Sequence, residues 1–91
     1  MGDQQLKRYT SKPTDVEAIR WTGDNKHVLR SELKDVIQFN TDDQLHLLAG
    51  KDGAQGWVPV PVGHWIVRNP NDTTDYWPVE DEFFRGKYAE S

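Results

Sequence analysis

No cysteine occurs in the chain, so disulfides and thiolate metal sites are excluded. That absence suits a reducing compartment. No apolar run approaches the roughly 18 residues that a membrane span needs. Met1-Gly2-Asp3-Gln4-Gln5 holds no apolar stretch, and no secretory leader is expected there. Basic charge is also short: 11 Lys and Arg face 15 Asp and Glu, a net charge of −4. Proteins that bind duplex nucleic acid show a basic face, so that class is disfavoured, and −4 is too small for a mimic of DNA. Catalytic and metal-binding patterns are missing as well. Ser11, Ser31 and Ser91 all lie outside a Gly-x-Ser-x-Gly elbow. Gly50-Lys51-Asp52-Gly53 lacks the spacing of a phosphate loop. His27, His46 and His64 stand 19 and 18 positions apart, without the close pairing of a zinc site. Asp42-Asp43 and Glu80-Asp81-Glu82 read as a turn and a helix start rather than as an acid–base pair. The reading is therefore non-enzymatic, with no cofactor and no metal.

What the chain does have is aromatic weight: four Trp, three Tyr and three Phe. Each can bury roughly 150–250 Å², enough to build most of a small core despite a mean hydropathy of −0.85. The length fits one domain. Residues 1–13 read as a flexible arm and 14–91 as the domain. Within it, Asp15–Thr22 alternates as a strand with apolar groups on both faces. Asp24 is a suitable helix N-cap. Leu29, Leu33 and Val36 or Ile37 then carry helical spacing to about Asp35. Residues 36–39 and 44–49 read as a hairpin around Asn40-Thr41-Asp42-Asp43. The three glycines of 50–56 mark a loop. Pro59 and Pro61 confine 57–62 to a sheet edge or an extended connection. His64–Arg68 and Asp75–Val79 are further strands about an Asn69–Asp72 turn. Glu80–Ala89 reads as a short helix with acids first and bases last. The expected fold class is α+β: a small twisted, mainly antiparallel sheet, open or partly closed as a barrel, packed against one helix, with a short C-terminal helix. The expected core includes Ile19, Leu29, Leu33, Ile37, Leu47, Ile66 or Val67, and Phe83 or Phe84.

Two segments carry a resemblance. The first runs Lys12-Pro13-Thr14-Asp15-Val16-Glu17-Ala18-Ile19-Arg20-Trp21-Thr22-Gly23-Asp24-Asn25. The second runs Val62-Gly63-His64-Trp65-Ile66-Val67-Arg68, followed by Tyr76-Trp77-Pro78-Val79 and Phe83. Over residues 7–88 the chain resembles a family of small bacteriophage proteins, common in phages of Gram-positive bacteria and actinobacteria. Its members open with a KPVxVEAxQWTGDN-like strand and close with a GDWIVRG…xYP-like segment. This chain departs at His64, where the family has Asp, and in its Pro59/Pro61 stretch. The resemblance implies a setting, the cytoplasm of an infected host cell, and no mechanism.

The candidate ligand-binding set is Arg20, Trp21, Trp65, Arg68, Tyr76 and Trp77. Arginine beside aromatic rings can hold a planar group and its phosphate together, the ring stacking and the guanidinium binding oxygens bidentately. The competing reading is that tryptophans in strands are core. If the set is a surface site, Arg68→Ala leaves the fold intact. The function expected first is a phage accessory protein that binds a host protein, inhibiting or redirecting a host factor or defence system. The alternatives are an oligomeric sponge for a nucleotide-like signal and a virion or assembly component. A chain of this size gains stability from association, so a homo-oligomer is an expected state. No membrane and no nucleic acid partner is expected.

Overall fold

The computed structural model describes the backbone of residues 7–11, 14–87 and 89–90 and the side chains of 16–87. Among the described residues eight strands and two α-helices follow one another. They are β1 (Lys7–Ser11), β2 (Thr14–Arg20), α1 (Lys26–Leu33), β3 (Ile37–Phe39), β4 (Leu45–Ala49), β5 (Gly56–Val60), β6 (Trp65–Asn69), β7 (Asp72–Val79), α2 (Asp81–Lys87) and β8 (Ala89–Glu90). The class is α+β, but the strands make two sheets rather than one. A five-stranded sheet has the order β7-β6-β2-β1-β8 and a three-stranded sheet the order β3-β4-β5. All pairings are antiparallel. Among the described residues one isolated bridge links the main chains of the two sheets, the Gly50 N–H bonding the Tyr76 carbonyl at 2.7 Å. No barrel closes. Gly50 has φ +85, a conformation that turns the chain out of β4 after a single bond to β7.

Part of the expected arm is sheet. Lys7–Ser11 pairs in register with β2, Lys7 opposite Ala18 and Ser11 opposite Thr14. The rest of that arm, residues 1–6, 12 and 13, lies outside the described residues.

Apolar groups on both faces of β2 put the five-stranded sheet between two cores. On one face Ile19, Trp21, Ile66 and Tyr76 meet Leu29 and Leu33 of α1 and Ile37, Leu45, Leu47, Ala49 and Val60 of the smaller sheet. On the other face Val16, Ala18, Val67 and Val79 meet Phe84 of α2, with Trp65 and Trp77 packed alongside. The expected core positions are buried, Ile66 and Val67 both, one on each face. At the C-terminal pair Phe84 is enclosed while Phe83 is 58% exposed.

The helix start differs from the sequence reading. Asn25, not Asp24, precedes α1, and its side chain makes no cap bond. It is drawn instead into the β2–α1 corner, as set out below. α1 ends at Lys34, whose φ of 47 breaks the helical path. A single 3-10 turn, Lys34–Val36, then leads into β3.

Candidate functional site

The six candidate residues sit on neighbouring strands but not on one surface. Along β2 and β6 successive side chains alternate between faces. Arg20 and Trp65 are cross-strand partners on the α2 side, as Glu17 and Arg68 are on the other side. Trp77 joins Trp65 on the α2 side. Trp21 and Tyr76 are enclosed in the opposite core, at 3% and 5% exposure. The sheet itself therefore divides the set: Arg20, Trp65 and Trp77 on one face, Trp21, Arg68 and Tyr76 on the other.

Both guanidiniums are engaged. Arg68 donates to Glu17 at 2.8 Å through Nε and lies 2.6 Å from it through Nη2. The two side chains are only 20% and 24% exposed. Burial works to lower the Arg68 pKa, and hydrogen bonding to Tyr76 and Glu17 outweighs it and holds the pKa above its ordinary value. Arg20 donates through Nε to the Gly63 carbonyl at 3.0 Å and reaches Asp81 at 3.4 Å. Asp81 also accepts from the Trp65 indole N–H at 2.8 Å and from Arg85 at 3.1 Å. The Trp65 hydrogen bond, assisted by the charges of Arg20 and Arg85, holds the Asp81 carboxyl below its usual range against the effect of burial. Trp65 lies flat on Phe84, with centroids 4.0 Å apart and 9° between planes. This cluster fastens α2 to the large sheet.

The histidines are dispersed: His27 is exposed on α1, His46 lies on β4, and His64 lies between β5 and β6. No three His, Cys, Asp or Glu side chains converge among the described residues. No helix among them is long and apolar enough to cross a membrane.

The open apolar surface lies elsewhere, along β5. Val58 and Val60 point into the core, so Trp57 and Pro59 point out. Trp57 is 45% exposed and stands opposite Leu48, and Pro59 stands opposite His46. Trp57 is the fourth tryptophan, the one outside the candidate set, and it is the most exposed of the four. At the end of β5 this surface runs into a groove of about 340 Å³, lined by Trp21, Asp42, Asp43, Gln44, Leu45 and the run Pro59–Val62. Val62 is 62% exposed.

Both walls of the groove are tied down by local chemistry. On one side Gly63 N–H bonds the Trp21 carbonyl at 2.6 Å, and Trp21 N–H bonds the His64 carbonyl at 2.9 Å. Val62 is seated against Gly23: a Cβ there would lie 3.3 Å from a Val62 methyl, and φ +92 makes glycine the fitting residue. On the other side Asn40 organises the β3–β4 turn. Its Oδ1 accepts from the N–H groups of Asp42 and Gln44 at 2.9 Å each, and its Nδ2 donates to Gln44 Oε1 at 2.8 Å. Lys26 binds Asp43, whose carboxyl this hydrogen bond and charge lower in pKa.

A sequence signal for this surface existed in Trp57 and the two prolines. It reads as an edge because proline lacks an N–H, and β5 is an edge strand of the smaller sheet. No family model, curated protein or solved structure matches the chain.

Proposed function

We propose that this chain is a non-enzymatic binding protein that docks on a partner protein through the β5 margin, from Trp57 to Val62. The observation that carries the reading is the exposure of Trp57 on the edge strand β5 and of Val62 in the turn that follows it. Large apolar side chains gathered on one margin mark interaction surfaces more often than scattered ones do, and tryptophan is the residue most enriched among energetic hot spots. The proline at position 59 supports a side-chain interface over strand addition, because it removes a donor from the edge. The phage-like opening and closing segments supply the setting: an accessory protein in the host cytoplasm, inhibiting or redirecting a host factor or defence system. The nucleotide-sponge reading loses its main support, since both arginines of its set face carboxylates on opposite sides of a sheet.

The test is capture in bacterial host cells by the tagged chain, by Trp57→Ala and by Phe83→Ala. Phe83 is the matched control, exposed on α2. The expected result is a specific partner protein, identified by mass spectrometry, whose recovery falls at least about tenfold with Trp57→Ala and is unchanged with Phe83→Ala. The melting temperature of both variants should match the parent. Equal recovery with all three, or a retained small molecule in place of a protein, contradicts the reading.

A further inference from the structure

We infer that the groove at the end of β5 receives the side chain of an arginine or lysine from an extended segment of a protein partner. The inference rests on the protein-binding reading above and names the chemistry of its anchor. The floor and one wall are apolar: Trp21, Leu45, Val60, Pro59, Pro61 and Val62. The lining also includes two aspartates, Asp42 and Asp43. Asp43 is engaged by Lys26. Asp42 uses its backbone N–H within the turn, and its exposed carboxylate has no ion pair or hydrogen bond among the described residues. An apolar trough ending in an open carboxylate is complementary to a side chain with a long hydrocarbon stem and a cationic head. Arg and Lys are built that way, the stem lying on apolar surface and the head staying at its rim. The groove volume of about 340 Å³ suits one or two side chains rather than a folded element.

The walls are also preset. Main-chain bonds between Trp21 and residues 63 and 64 fix the apolar wall, and Asn40 fixes the acidic turn. A site formed before binding avoids the ordering cost of closing one. The net charge of −4 adds long-range attraction for a basic partner, an effect that weakens with salt. An acidic or phosphorylated segment would meet the open Asp42 carboxylate and be repelled. A flat nucleotide base would find Trp21 enclosed in the core, at 3% exposure, with no open ring face to stack on.

The test uses capped five-residue peptides, acetyl-Ala-Leu-X-Leu-Ala-amide, with X as arginine, lysine, citrulline or glutamate. Binding is read from amide NMR shifts of the 15N-labelled chain. The arginine and lysine peptides should shift Gln44, Leu45, Val60, Val62 and Gly63, with weaker binding at higher salt. Citrulline, which keeps the shape and loses the charge, should bind more weakly by roughly two- to tenfold. Asp42→Asn should reduce arginine-peptide binding by a similar factor, while Glu82→Gln on α2 should not. Citrulline binding as tightly as arginine, or shifts elsewhere on the chain, overturns the inference. Spermidine or arginine amide binding as tightly as the peptide would assign the groove to a free cation and overturn the segment. A Trp57-dependent partner with no peptide shifts in the groove would remove this inference and leave the protein-binding reading standing. Groove shifts with no Trp57-dependent partner would do the reverse.

Discussion

Asn25 is the buried polar side chain of the described residues, 2% exposed. Its Nδ2 donates to the Arg20 carbonyl at 2.8 Å, and its Oδ1 accepts from the Thr22 N–H at 3.0 Å. Together with Gly23 at φ +92 and the Thr22–Asp24 hydrogen bond at 2.6 Å, it folds the corner between β2 and α1. The Trp21–Asn25 run is thus explained as scaffold. Asn25→Ala should cost about 2–3 kcal/mol, because two part-buried backbone groups lose their partners. That is a fall of roughly 10 °C or more in melting temperature for a chain of this size, and no fall would contradict the account. Arg68 is read the same way. Arg68→Ala spares the fold if the aromatic–arginine set is a surface site. With Glu17 left unpaired between strands, the variant should instead lose about 1–3 kcal/mol. Thermal melts of Arg68→Ala, Glu17→Ala and the double variant check this: the double should lose less than the two singles added together.

At the scale of elements, α2 is held by Phe84 inside and by Asp81 at its edge. Phe84→Ala should cost about 3–5 kcal/mol, the range for an enclosed ring, and a thermal melt reads it. Asp81 gives the same contact a pH signature. Its folded pKa lies below the ordinary 3.8 because Trp65, then Arg20 and Arg85, favour the ionised form. The stability it contributes is present above about pH 3.8 and is lost as pH falls through the lower folded value. Asp81→Asn should therefore melt below the parent at pH 6, and the gap should narrow below pH 4. Asp43 and Asp72 titrate in the same sense, so the variant removes only part of the acid sensitivity. Most elements were legible in the sequence: the 3.6-residue spacing of Leu29 and Leu33, the Asn40–Asp43 turn, the alternation of β2 and β6, the proline-limited edge of β5. The helix cap was not, since Asp24 and Asn25 are both suitable caps. Asn25 takes the N-cap position while its side chain turns to the Arg20 carbonyl, which only the β2–α1 corner brings near.

At the scale of the molecule, two cores share the five-stranded sheet, and that arrangement explains what one dimension conceals. Arg20 and Arg68 each stand beside aromatics in the sequence, but their strands pair in a register that sends the two arginines through opposite faces. Alternation along a strand gives parity within one segment, not the relation between segments. The exposure of Trp57 has a related cause: along β5 its two valine neighbours turn inward, so it turns out. Val58 and Val60, its neighbours in β5, are spent on the core. The central claim, that the β5 margin is the contact surface, is tested most directly by amide hydrogen exchange of the chain alone and in complex with the protein it captures. The account predicts slowed exchange across Gly56–Gly63, where Pro59 and Pro61 carry no amide, and at Asp42–His46. Exchange along α2 and at Asp72–Thr74 should be unchanged. Slowed exchange confined to α2 or β7, with 56–63 untouched, would contradict it.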